Sequence, residues 1–112
     1  AVETASGFGL LHGEAVAIGI IAAGMIEIEL KLAPQERLER VRQILQKLDV
    51  PVKLPRNLAE KDLINLVKHD KKAVNKWPRF VLLNDIGQAC CHNGQYAVDV
   101  APEILGRVLK KL

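Results

Sequence analysis

Leu10-Leu11-His12-Gly13-Glu14-Ala15-Val16-Ala17-Ile18-Gly19-Ile20 decides how this chain is read. A histidine and a glutamate, two residues apart, head a run that stays very apolar as far as Ile28. Imidazole and carboxylate are the side chains that hold Zn²⁺ or move protons near neutral pH. A capped helix start uses the same residue types, so the tripeptide by itself leaves both readings open. Residues 15–28 are bracketed by Glu14, Glu27, Glu29 and Lys31. They are too short for a comfortable bilayer span and predict a buried core helix over residues 12–32. That helix is apolar nearly all round, so several neighbours should surround it. Gly13, Gly19 and Gly24, with Ala22 and Ala23, leave room for close backbone approach. Interior glycines weaken a helix by roughly 1 kcal/mol each, which tight packing or function must offset.

Outward from this run, Pro34 opens a second helix with Glu36 in its first turn. Leu38, Val41, Ile44, Leu45 and Leu48 form its apolar stripe. Arg37, Arg40, Arg42, Gln46 and Lys47 fill the other face and read as a solvated surface. Pro51 and Pro55 bound an extended link. Asn57 reads as the cap of a third helix, with Glu60 at capping-box spacing and Leu58, Leu63, Leu66 and Val67 inward. Residues 79–83 read as a strand, 88–91 as a second and 96–100 as a third. Asn84-Asp85-Ile86-Gly87 and Asn93-Gly94 are the turns between them, the latter of hairpin type. Pro102 starts a last helix with Ile104, Leu105, Val108, Leu109 and Leu112 inward. The pattern is mainly α, with a small β-hairpin or sheet near the C-terminus, and residues 1–112 read as a single domain.

Composition bounds the function. A chain of 112 residues with a formal charge of +3 suits an anionic small molecule. Without an arginine-rich run or interleaved aromatic and basic residues, it gives no nucleic-acid signature. Nothing in it predicts a membrane partner, and residues 1–10 carry no signal- or transit-peptide pattern. Its two cysteines, Cys90 and Cys91, are adjacent. Neighbours rarely bond to each other and two give no framework, so the expectation is a reducing cytoplasm. Cys90-Cys91-His92 invites a metal reading, but adjacent cysteines do not easily bind one ion together.

Three segments, in this order, resemble one family. They are Leu11-His12-Gly13-Glu14-Ala15-Val16-Ala17-Ile18-Gly19, then Asp70-Lys71-Lys72, then Arg79-Phe80-Val81-Leu82-Leu83 followed by Ile86-Gly87. Together they are similar to the C-terminal domain of the 3-dehydroquinate synthases, and the resemblance covers essentially the whole chain. In that family a segment Asn-Phe-Gly-His-Thr-x-Gly-His-Ala-x-Glu precedes the His-Gly-Glu segment, and Ala1-Val2-Glu3 matches its last three residues. The resemblance therefore implies a fragment that starts within the active-site motif and lacks the N-terminal NAD-binding domain.

The resemblance implies a chemistry. The intact enzyme is a lyase of the shikimate pathway, which leads to the aromatic amino acids. It converts 3-deoxy-arabino-heptulosonate 7-phosphate to 3-dehydroquinate and phosphate. NAD⁺ oxidises a ring hydroxyl, the ketone acidifies the neighbouring C–H, phosphate leaves, and the ketone is reduced back before an aldol closure. A divalent metal, Zn or another such as Co, polarises the hydroxyl being oxidised. On this reading His12 matches the last metal ligand, and the other two ligands lie upstream. Glu14 either hydrogen-bonds near the metal or favours the helix N-terminus. Lys71 and Lys72 match the motif from which a lysine reaches the substrate phosphate, and Asp70 holds a lysine in place. No residue of the chain is assigned a catalytic role with certainty, and none binds NAD. The intact enzyme is expected to be a cytoplasmic homodimer. One departure is that residues 73–78 lack the glycine usual there, although Asn75 tolerates a left-handed turn. Alternatives are a related sugar-phosphate cyclase, of the inosose or valiolone synthase type, and a non-catalytic helical interaction module.

Overall fold

Helix α1, His12–Glu29, starts where extended Leu11 meets the apolar run. The structure, a computed structural model, describes residues 2, 6–7, 9–68 and 79–112, with nothing stated of the side chains of 66–68. Three further helices follow among the described residues: α2, Gln35–Lys47; α3, Glu60–Lys68; and α4, Pro102–Lys111. Between α3 and α4 lie four short strands, β1 Arg79–Val81, β2 Leu83–Asp85, β3 Gln88–Ala89 and β4 Ala97–Asp99. The mainly α architecture with a small β element near the C-terminus is as the sequence predicts.

The core is where α1, α4 and the strands meet. Ile26, Leu82, Val100, Leu105 and Val108 form one buried cluster, with Met25, Phe80, Val98 and Leu109 packed round it. Antiparallel β1 and β4 pair Arg79 with Asp99, Phe80 with Val98 and Val81 with Ala97. Antiparallel β2 and β3 pair Leu83 with Ala89 and Asp85 with Gln88. Asn93 and Gly94 have φ of +50° and +74°, as a two-residue hairpin turn of type I′ demands. Pro102 stands at the start of α4, where its missing N–H costs nothing. The backbone N–H of Leu54 donates to the carbonyl of Leu112 at 3.1 Å, tying the proline-bounded link to the end of α4.

Helix ends differ from the sequence reading. α1 stops at Glu29, three residues before the expected Leu32. The Lys31 N–H donates to Ile28 O, the Leu32 N–H donates to Glu27 O, and Lys31 has φ +59°. This is a Schellman stop with lysine where glycine is usual, so the sequence carried no stop signal. Asp49, with φ +56°, ends α2 the same way. An L side chain in that conformation costs energy that glycine does not. Lys31→Gly is therefore expected to raise stability by about 0.5–1 kcal/mol, seen as a higher urea midpoint; a lower midpoint would show that the Lys31 side chain has a role of its own. Asn57 is not the cap of α3. The Leu63 N–H donates to Ala59 O and the helix starts at Glu60, so Asn57 lies in the preceding turn.

On α2, Leu38 is buried and Val41 and Leu45 are half-buried, but Ile44 and Leu48 stay exposed, outside the expected stripe. Neighbours reach the helix near its first turns instead. Arg37 and Arg42, read as solvated, fold into the packing there. Gly24 explains the close approach of α1 and α2: a Cβ on it would lie 2.7 Å from Cδ1 of buried Leu38. Gly13 and Gly19 do not fit the same account, for a Cβ on either meets nothing within 4 Å. Nor is α1 surrounded: Val16 and Ile20, in its first half, are each 45 % exposed. The side chains of Leu66 and Val67 lie outside the described residues.

Candidate functional site

The N-terminus of α1 carries the predicted site residue His12 on its first turn, exposed to solvent. Leu11 holds the chain extended, with φ −65° and ψ 153°, and the helix begins at the next residue. The Glu14 carboxylate accepts the Leu11 N–H through Oε2 at 2.8 Å. This satisfies one of the donors a helix leaves open at its start and places negative charge at the positive end of the dipole. His12 is thus fixed by a capped helix end with Glu14 engaged one turn further on.

Whether a metal fits can be judged from the donors present. A catalytic zinc takes three protein ligands and keeps one open position. Among the described residues no three His, Cys, Asp or Glu side chains cluster to hold an ion. His12 supplies one nitrogen donor, so the described residues do not hold a metal by themselves. Cys90 packs against the core cluster while Cys91 is exposed, and both are free thiols. With one thiol against the core and its neighbour in solvent, the two do not converge on one ion. Asp70, Lys71 and Lys72 lie outside the described residues, between the end of α3 at Lys68 and the start of β1 at Arg79.

The structure also holds a charged cluster that sequence reasoning missed. Glu27 of α1 and Arg37 of α2 form an ion pair at 2.9 Å, with side chains only 7 % and 9 % exposed. Glu27 Oε1 accepts the Leu83 N–H at 2.8 Å. Arg37 donates to the carbonyls of Leu83 and Asn84, at 2.8 and 2.9 Å. One buried pair thus joins two helices to the backbone of β2. It forms one wall of an apolar groove of about 260 Å³, whose other walls include Ile20, Val41, Val81 and Ile86. The signal was there: Glu27 follows Ile20 and Ala23 by seven and four residues, which puts it on their face of the helix. Nearer solvent, Glu29 meets Arg107 and Lys111. The hydrogen bond from Arg107, with further help from Lys111, holds its carboxyl below the ordinary value. This contact favours the fold above the unfolded carboxyl pKa and is lost as pH falls through the lowered one.

A mainly α domain that presents one imidazole at the head of an apolar helix is thereby defined. Its residues 1–73 match the family model described as 3-dehydroquinate synthase C-terminal. The chain is 39 % identical over 89 residues to the 3-dehydroquinate synthase of Desulforamulus reducens, covering 79 % of this chain and 25 % of that protein. It is 42 % identical over 88 residues to the enzyme of Nostoc punctiforme, covering 78 % and 24 %. It is 34 % identical over 113 residues to the enzyme of Crocosphaera subtropica, covering 100 % and 30 %. The chain belongs to the 3-dehydroquinate synthase C-terminal family. It spans about a quarter of the length of the curated relatives it matches.

Proposed function

We propose that this chain is the helical metal- and substrate-binding part of a 3-dehydroquinate synthase. The enzyme would convert 3-deoxy-arabino-heptulosonate 7-phosphate to 3-dehydroquinate and phosphate. The observation that carries this reading is the family match over residues 1–73, which spans His12 and the Asp70-Lys71-Lys72 motif together. In the intact enzyme His12 supplies one metal ligand, with Glu14 steadying the helix end beside it. Lys71 and Lys72 offer ammonium groups to the substrate phosphate, and Asp70 orients a lysine. NAD is held by the part of the enzyme that these residues do not include. A divalent metal, held by His12 together with ligands from the rest of the enzyme, would supply Lewis-acid polarisation of the hydroxyl being oxidised. What this chain contributes is position and charge, which is most of what such a reaction needs from its protein.

The partner is a small anionic sugar-acid phosphate. Neither nucleic acid nor a membrane is a partner on this reading; no helix among the described residues is long and apolar enough to cross a bilayer. The intact enzyme is a cytoplasmic homodimer of the shikimate pathway. The test is phosphate release from the heptulosonate phosphate with NAD⁺ and Zn²⁺. It uses a full-length synthase in which residues 1–112 replace the matched stretch of the Crocosphaera subtropica enzyme. Turnover there supports the reading. Turnover only of an inosose- or valiolone-forming substrate would transfer the chain to a sister cyclase.

The metal assignment makes a separate prediction. The 112-residue chain alone should bind Zn²⁺ weakly, because it brings only His12 of three ligands. Calorimetric titration checks this. A tight, stoichiometric site that survives His12→Ala would take the metal role away from His12.

A further inference from the structure

Residues 91–96 are exposed, and at their centre Asn93-Gly94 turns the chain. One bridge pair holds the turn. The His92 N–H donates to Gln95 O at 2.8 Å, and the Gln95 N–H donates to His92 O at 2.9 Å. The glycine is needed for conformation and not for space. Its φ is +74°, while a Cβ on it would meet nothing within 4 Å. The same bareness leaves its backbone nitrogen unshielded beside the carboxamide of Asn93. Asparagine is a chemically labile side chain, and a following glycine lets the next amide nitrogen reach it.

In such a reaction the Gly94 nitrogen gives its proton to solvent base and attacks Cγ of Asn93. The Cγ–Nδ2 bond breaks, and ammonia leaves with a proton taken from water. The product is a five-membered succinimide, and water then adds to one of its two carbonyls. Opening on the side-chain carbonyl gives aspartate. Opening on the main-chain carbonyl gives isoaspartate, whose backbone runs through the former side chain. The sum is asparagine and water to acid and ammonia, with no oxidant or other reactant. Ring closure needs Cγ and the Gly94 nitrogen on the same side of the Asn93 Cα–C bond. A left-handed residue in a I′ turn holds them on opposite sides, so the closed turn protects and the open tip reacts. Opening breaks two hydrogen bonds at an exposed hairpin tip, among the easiest local openings of a fold.

We propose that Asn93 is a site of spontaneous deamidation, and that isoaspartate there undoes the hairpin tip and releases Arg79 from it. Arg79, the first residue of β1, donates to Gln95 Oε1 and to the carbonyl of Ala97. Its Nε lies 3.5 Å from Asp99 Oδ1. Gln95 therefore serves the turn through its backbone and the β1 guanidinium through its side chain. Isoaspartate adds one carbon to the main chain between His92 and Gln95, so the two-residue loop no longer fits the bridge. Asn93 also lines a cavity of about 520 Å³ together with Arg79, His92 and Gln95. The new carboxylate there offers the released guanidinium a charged acceptor.

Peptide mapping by mass spectrometry, after incubation of the folded protein at neutral and mildly alkaline pH, tests the chemistry. We expect isoaspartate and aspartate together at residue 93, forming faster as pH rises. Asn93 should react at least about tenfold faster than Asn84, which is also exposed but precedes Asp85. Comparable rates at the two positions overturn the proposal. So does aspartate alone, which would mean direct hydrolysis without a ring. Hydrogen exchange tests the structural half. The amides of His92 and Gln95 should exchange at least about tenfold faster in the isoaspartyl protein than in the unmodified one. Asn93→Asp brings the charge without the extra main-chain carbon and tolerates the left-handed turn, so its exchange should stay near the unmodified rate. Unchanged exchange in the isoaspartyl protein overturns the release of the tip. Equally fast exchange in Asn93→Asp overturns it too, since charge and not chain length would then open the turn.

Discussion

Arg37→Met is expected to remove roughly 3–5 kcal/mol of stability, the largest loss of any single substitution considered for this fold. The reason is what it leaves behind. Glu27 is only 7 % exposed on its side chain and faces Arg37 at 2.9 Å. Without the guanidinium, Glu27 is a buried carboxylate whose remaining partner is the Leu83 N–H. The carbonyls of Leu83 and Asn84 lose their donors in the same step. Marginally stable domains hold about 5–15 kcal/mol in all, so much of the fold's margin goes with one residue. Adding Glu27→Gln removes the stranded charge while its amide oxygen still accepts the Leu83 N–H. The double variant should therefore recover more than about 1 kcal/mol over Arg37→Met alone. Urea unfolding followed by circular dichroism measures both. An Arg37→Met midpoint near wild type would mean that water reaches Glu27 and the pair is not a buried one.

That pair also marks where the sequence stopped being legible. Local signals read well when the residue itself dictates the backbone. Asn93-Gly94 reads as a tight turn because both residues tolerate positive φ. Pro102 reads as a helix start because its ring fixes φ and it has no N–H to satisfy. Signals fail when the deciding partner is distant. Glu27 looks like the polar border of an apolar run until β2, more than fifty residues later, offers it a backbone N–H. Arg37 looks like a surface charge until two carbonyls of β2 turn to it. The end of α1 at Lys31 has no glycine to announce it, since the Schellman hydrogen bonds carry the stop. Ile44 and Leu48 have the right spacing for a buried face, but spacing does not say where the neighbouring helix runs out.

The candidate site divides along the same line. The helix start at His12 and the place of Glu14 in its first turn were readable because a helix start is a local event, and the Leu11 to Glu14 hydrogen bond answers to it. A metal centre is not local. One imidazole on a helix end has no chemistry of its own to name an ion, so the metal reading stays a proposal that leans on family membership.

In the intact enzyme, Lys71→Ala or Lys72→Ala is expected to lower kcat/KM by roughly 30- to 1000-fold, about 2–4 kcal/mol of transition-state stabilisation. The substrate proposed above brings a phosphate dianion, and on that reading the group is both the handle for binding and the leaving group. An ammonium beside it attracts the ground state and stabilises the further charge that builds as the C–O bond breaks. Loss of such a contact should raise KM and lower kcat together, whereas a lysine that merely complements the end of α3 should leave both unchanged. One of the two lysines should carry most of the effect, because the resemblance to the family implies that a single lysine reaches the substrate phosphate. Lysine to arginine at the important position should restore part of the loss by keeping the charge, though not its compact geometry. Inorganic phosphate, tested as a competitive inhibitor, should weaken in step with KM. Steady-state kinetics of the two alanine variants, with circular dichroism to verify folding, decides the matter: wild-type kcat/KM in both would move the phosphate role to another residue.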